Sequence, residues 1–250
     1  MKIFRILTLV TGLLLVWQLI VYLADFPHYI LPGPVAVGKA VTVQFQTLLF
    51  HCRTTLIEIL GGLILGTLFG VICALTMIVS RSLKRWVLPL LVISQAIPVF
   101  ALAPILVIWF GYGMASKIAM AVLIIFFPVT ATFYDGMRRT EPDLLELARV
   151  MNAKPLATLR LIKIPSALPA FGSGLRTATA VAPIGAIVGE WVGASSGLGY
   201  FMLHANARMQ IDVMFAALFL LSVMSLTLYF SIDRILDQII FWQNNQEKSK

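Results

Sequence analysis

The residues able to do chemistry are few and scattered. The 250-residue chain has three histidines, His28, His51 and His204, and two cysteines, Cys52 and Cys73, none at metal-ligand spacing. No Gly-x-x-x-x-Gly-Lys-Ser/Thr phosphate loop occurs, so nucleotide hydrolysis has no seat here. The polar residues that demand explanation sit inside apolar runs: Ser94 and Gln95, Glu58, and Glu190 beside Trp191. A polar group placed in hydrocarbon is expensive and marks a solute path or a partnered contact between helices. On that logic Ser94, Gln95, Glu190 and Trp191 form the candidate solute pathway. Glu190 also reads as an interfacial acid held by water or backbone amides, Gln95 as an interhelical hydrogen bond, and Glu58 as the partner of Arg53.

Six apolar stretches must position these residues, over 6–24, 56–79, 87–110, 118–134, 171–192 and 213–232. A bilayer span takes roughly 20 mostly apolar residues. The chain is 60% hydrophobic and 12% charged, against about a quarter charged in a typical soluble domain. The uncharged run of 6–24 exceeds a signal-peptide core and lacks a small-residue cleavage site, so it reads as a retained first helix. Pro89, Pro98 and Pro104 predict a bent or broken third span.

Six spans leave both termini on one side. If that side is cytoplasmic, fifteen of the 19 Lys and Arg residues fall inside, from Lys2 and Arg5 through Arg81, Lys84 and Arg85 to Lys248 and Lys250. The positive-inside rule selects this orientation. The net charge of +8 is thereby assigned to membrane edges, not to nucleic acid. The domain reading is an N-terminal helix over 1–24, an outer segment over 25–55 with an interfacial stretch from 35, a core over 56–235 and a cytoplasmic tail over 236–250.

The longest cytoplasmic segment, 135–170, is expected to be mostly helical. Thr140 is a candidate cap before Glu141, Pro142 and Asp143. Leu144, Leu145, Leu147, Ala148 and Met151 supply an apolar face, and Asn152 suits a left-handed stop. Pro155 opens a second short helix that Pro165 and Pro169 are expected to end. Such a pair is either a docking element for a soluble partner or an amphipathic linker lying on the headgroups.

Within this segment, Glu146-Leu147-Ala148, Asn152 and Ile162-Lys163-Ile164-Pro165 resemble the EAA motif of bacterial ABC importer permeases, Glu-Ala-Ala, three residues, Gly, nine residues, Ile-x-Leu-Pro. The spacings agree; Leu147, Asn152 and Ile164 are departures in residue type. Ile97-Pro98, Ala103-Pro104, Trp109-Phe110-Gly111 and Ser196-Gly197-Leu198-Gly199-Tyr200 are similar to the branch importing nitrate, sulfonates, taurine and pyrimidine precursors of thiamine. The resemblance implies an all-α membrane protein of six transmembrane helices with a cytoplasmic coupling-helix loop, the type I ABC importer permease fold. It implies ATPase coupling through Glu146, Leu147, Ala148, Asn152, Ile162, Ile164 and Pro165. It further implies two copies of an ABC ATPase, a second permease copy in a homodimer, a periplasmic substrate-binding protein and an inner-membrane location. The expected role is non-catalytic and needs no cofactor of its own.

With no basic side chain expected deep in a span, the inventory of Ser94, Gln95 and Glu190 beside aromatics favours a neutral or weakly basic heteroaromatic solute. A thiamine pyrimidine precursor, of the hydroxymethylpyrimidine or formylaminopyrimidine type, therefore stands ahead of sulfonate, taurine or nitrate. An ATP-independent secondary transporter would show inverted repeats or proton-relay acids, and a polytopic membrane enzyme a cluster of His, Asp and Glu. Neither pattern is found in the sequence.

Overall fold

The computed structural model describes residues 2–24, 27 and 29–242. His28 and residues 243–250, with Lys248 and Lys250, lie outside the described residues. The described residues form helices and turns with no strand. In chain order the helices are α1 (Lys2–Leu23), α2 (Pro34–Val43), α3 (Phe45–Val79), α4 (Arg81–Ala96), α5 (Val99–Phe110), α6 (Met114–Arg138), α7 (Pro142–Val150), α8 (Pro155–Thr158), a π-helical turn (Leu159–Lys163), α9 (Ile164–Gly193), α10 (Leu198–Ala207) and α11 (Ile211–Ile239).

Helices α3, α6 and α11, and the continuous run from Pro155 to Gly193, are long and apolar enough to cross a membrane. Helices α4 and α5 make a fifth, broken span, bent by 104°. The break falls at Ile97-Pro98, where Ile97 is extended, as the residue before a proline prefers. In α1 the apolar stretch Thr11–Leu23 is shorter than these spans.

The third span starts earlier than expected, at Arg81, and the last runs on to Ile239; two further boundaries bear on the polar residues. The second span begins at Phe45, not near residue 56, because nothing between Phe45 and Thr55 stops a helix; His51, Arg53 and Thr55 are therefore helical. The fifth begins at Ile164, with Pro165 in its first turn and Pro169 inside it. The π-helical turn explains why Pro165 does not end the helix. Its wider winding relieves the clash that a proline ring makes with the carbonyl four residues back, here that of Leu161.

Helix α6 lies between α3 and α9 at close range. Gly62, Gly66 and Gly70, one turn apart on α3, face it. A Cβ at Gly66 would come within 2.7 Å of Ile125 Cγ2, and one at Gly70 within 2.9 Å of the Phe126 carbonyl. On the other side a Cβ at Gly185 of α9 would sit 2.8 Å from Ala121 Cα. Small residues let helix backbones approach where lipid offers no hydrophobic drive to bring them together. The three-helix core is Ile59, Leu63, Ala121, Ile125, Val129, Ala178, Ala182 and Ala186, all buried. Toward the other end of α9, Arg176 forks to Asp233 (Nε–Oδ1, 2.5 Å) and Asp237 (Nη2–Oδ1, 2.6 Å), tying α9 to α11. Large apolar side chains such as Ile64, Leu68, Leu226 and Phe230 are exposed, the surface expected of a chain solvated by lipid.

Candidate functional site

The segment expected to couple is built on α7. Its N-cap position is Glu141, with Pro142 opening the helix and Asp143 in the first turn. Thr140 is not the cap; its hydroxyl donates to the Met137 carbonyl (2.9 Å) and closes α6 instead. At the far end Asn152 adopts a left-handed conformation, φ 55°. Its N–H donates to the Arg149 carbonyl and that of Ala153 to the Ala148 carbonyl, both at 2.9 Å. This closing turn satisfies carbonyls that a helix end leaves free.

The expected apolar face divides in two. Ala148 is buried and Leu145 half-buried, lining a hollow of about 510 Å³ between α3, α7 and the π-helical turn, with Ile78, Arg149 and Lys163. Leu147, Val150 and Met151 point outward, and Val150 and Met151 are 85% and 72% exposed at the tip. Sequence reasoning missed Val150; its position beside the Asn152 stop was the available signal. Glu146 is exposed on the same helix, while Ile162, Ile164 and Pro165 are half-buried at the root of α9. Helix α7 therefore ends in an exposed apolar tip.

The second constellation is a buried polar cluster at the opposite ends of α3, α6 and α9. Glu190 is 1% exposed. One carboxylate oxygen accepts from Thr55 Oγ1 (2.6 Å), the other from the backbone N–H of Gly199 and of Tyr200 (3.3 Å). Thr55 Oγ1 accepts from Leu198 N–H (2.8 Å), and His51 Nδ1 accepts from Gly197 N–H (3.0 Å). Four consecutive donors, from Gly197 to Tyr200, are those that a helix start leaves without partners. Here side chains of α3 and α9 take all four, so Glu190 caps α10 across the fold, where its charge also suits the helix dipole. Gly197 has φ 113°, and a Cβ there would collide with the Glu190 carboxylate. Sequence reasoning assigned His51 and Thr55 no role.

Glu58 is fully buried and pairs with Lys117 Nζ of α6 at 3.3 Å. The expected partner, Arg53, lies five residues away on the same helix and so faces a different side. Lys117, expected in an outer loop, is buried in the first turn of α6. Glu58 also faces Glu190.

The four expected pathway residues therefore occupy separate environments. Ser94 donates to the Leu91 carbonyl (2.7 Å) and Gln95 is exposed, both on α4 just before the break. Trp191 points away from Glu190, 53% exposed beside an apolar hollow of about 680 Å³ between α9, α10 and α11. The Glu190 carboxylate is already occupied by backbone and Thr55.

Residues 66–241 match the family model described as "Binding-protein-dependent transport system inner membrane component". A "Probable ABC transporter permease protein" of Haemophilus influenzae is 57% identical, covering 96% of this chain and 98% of the relative. The "Formylaminopyrimidine transport permease protein ThiX" of Halalkalibacterium halodurans is 38% identical, over 94% of each. The "Riboflavin transport system permease protein RibX" of Chloroflexus aurantiacus is 36% identical, over 92% of this chain and 87% of the relative. In overall fold the chain is similar to a subunit in inward-facing structures of the MetNI methionine ABC transporter, with a TM-score of 0.62 at 22% identity, over 78% of this chain and 95% of that one.

Proposed function

Because the chain belongs to the family of binding-protein-dependent transport system inner membrane components, and is a permease subunit of an ABC importer, we propose that it carries a thiamine pyrimidine precursor inward, driven through its α7 tip by a separate ATPase. One observation carries the mechanical part. From Pro155 to Gly193 the chain is continuously helical, so the root of α9 and the Glu190 cluster lie along one element, which the turn at 151–154 joins to the α7 tip. Displacement of α7 is passed through that turn to α9, whose far end carries the cluster. Leu147, Val150 and Met151 form the face seated in the ATPase, Glu146 pairs with a cation on it, Ala148 turns into the hollow it shares with Leu159 and Lys163, and Ile162, Ile164 and Pro165 form the root of the span. Asn152 sets the angle between them.

In this reading two copies of the chain pair, each engaging one ATPase copy, and a periplasmic binding protein delivers the solute to the side of the polar cluster. Both termini are cytoplasmic. The solute assignment rests on two supports: relatives named for formylaminopyrimidine and riboflavin, both heteroaromatic, and the uncharged polar pair Ser94 and Gln95 beside the broken span. An anion such as sulfonate, taurine or nitrate would call for a cation there, and α4 and α5 carry none beyond Arg85.

Glu146→Lys is expected to reach the membrane normally but to lose the co-purifying ATPase and solute uptake; retention of both would refute the coupling assignment. Growth of a thiamine-pyrimidine auxotroph on limiting hydroxymethylpyrimidine or formylaminopyrimidine is expected to require the chain. Unchanged growth there, with lost growth on taurine or an alkanesulfonate as sulfur source, would refute the solute.

A further inference from the structure

Arg81, Lys84 and Arg85 occupy the first turn and a half of α4 and line a hollow of about 400 Å³ whose other walls are Leu88 and Pro89. Positions 81, 84, 85, 88 and 89 fall on one helix face, so a basic end passes directly into an apolar stripe, and exposed Val92 continues it. No carboxylate compensates the three cations: the sequence has no Asp or Glu between Glu58 and Asp135, and none of the three is in an ion pair among the described residues. Lys84 is steadied over the buried Tyr134 ring, 5.4 Å from its centroid, which Arg138 also approaches at 5.8 Å. The positive-inside rule asks only for charge on this side of the membrane. It does not ask for three cations around one hollow that continues into an apolar groove.

We propose that this hollow binds the phosphate headgroup of an anionic phospholipid, with an acyl chain lying along Leu88, Pro89 and Val92. The headgroup order is the order of the stripe: phosphate at Arg81, Lys84 and Arg85, hydrocarbon toward the break at Ile97. Arg offers a planar fork to phosphate oxygens and Lys a point charge, so the trio suits one doubly charged or two adjacent phosphates. The inference rests on the cytoplasmic placement of the start of α4 given above.

The test uses the full permease, free and in complex with its ATPase, purified in detergent and titrated with cardiolipin, phosphatidylglycerol or phosphatidylcholine under native mass spectrometry. The two anionic lipids are expected to bind in preference to phosphatidylcholine. The variant Arg81→Gln, Lys84→Gln, Arg85→Gln is expected to weaken that binding on the order of a hundredfold. The charge-matched control Arg139→Gln, Lys154→Gln, Arg160→Gln is expected to stay within about twofold of the wild type if the site is local. Equal loss in the control, equal binding of phosphatidylcholine, displacement by excess inorganic phosphate, or binding that vanishes when the ATPase complex forms would each overturn the proposal. The last would assign the cations to a protein partner. Separately, Ser82→Cys is expected to react with an impermeant maleimide in inside-out vesicles only. Reaction in right-side-out vesicles would overturn the orientation itself, whatever the lipid titration shows.

Discussion

Removing Lys117 tests whether the polar cluster holds three spans together. Its ammonium lies 3.3 Å from Glu58 Oε1, with the two side chains 6% and 0% exposed. At an effective dielectric constant near 20, unit charges at that separation attract by about 5 kcal/mol. Desolvation offsets much of this when the pair forms, but it does not protect a variant in which only one partner is removed. Such a variant costs about 3–5 kcal/mol, because the other charge stays buried alone. Neither oxygen of Glu58 has a hydrogen-bond donor to replace the lysine.

The neighbouring acid makes the two single changes unequal. With Lys117→Met, Glu58 faces Glu190 with no cation beside it. With Glu58→Gln, an amide oxygen remains at that position to accept from Lys117, and the second acid facing Glu190 is gone. Lys117→Met is therefore expected to be the more damaging, lowering the melting temperature of the detergent-solubilised protein by on the order of 10 °C on the scale of similar-sized domains. The double variant is expected to be more stable than the sum of its parts, since it removes the orphaned charge along with the attraction. Intrinsic-fluorescence melts of the four proteins measure both quantities. Additive losses, or a Glu58→Gln variant that melts below Lys117→Met, would refute the cluster as described.

Hydropathy reveals five of the six expected spans because lipid demands apolar surface on almost every turn, and of the three prolines in the third span only Pro98 marks the break, since Pro89 and Pro104 lie inside α4 and α5. The N-terminal half of α3 is hidden from the same reasoning. His51, Thr55 and Glu58 are polar, yet buried against Gly197, Glu190 and Lys117, partners 59 to 146 residues distant. Polarity that is satisfied across the fold looks like polarity exposed in a loop. Glu190 poses the same difficulty, although one clue was local: α10 starts at Gly197-Leu198-Gly199 with no capping side chain of its own, so its donors had to find an acceptor elsewhere. The Gly62, Gly66, Gly70 spacing was fully legible and predicts a close helix contact; a search for apolar runs alone passes over it. In the segment 135–170 the caps and apolar spacing indicated short helices, but which residues turn outward depends on the hollow beneath Ala148.

Thr55→Val removes one hydroxyl that both donates to Glu190 and accepts from Leu198 N–H, leaving a buried donor unpaired; a loss of about 2–4 kcal/mol is expected in thermal melts. Thr55→Ser should recover most of it, and equal stability of the valine and wild-type proteins would refute the cap. Gly66→Val must push α3 from α6, since even a Cβ would stand 2.7 Å from Ile125, and folded yield after solubilisation is expected to fall steeply; a normal yield would mean that the helices do not meet there. The last comparison separates support from solute contact. Glu190→Gln keeps the shape of the cap but weakens bonds to two backbone donors and Thr55, so it should lower stability while leaving the order of competing solutes in uptake assays unchanged. Gln95→Leu alters an exposed side chain with only a long contact to Ser94 (3.4 Å), so it should leave the melt within about 0.5 kcal/mol of wild type and change that order. The reverse outcome, a normal ranking in Gln95→Leu and an altered one in Glu190→Gln, would move the solute path from the broken span to the buried cluster. The cap would then have to open during each transport cycle, exposing the very donors that Glu190, Thr55 and His51 now satisfy.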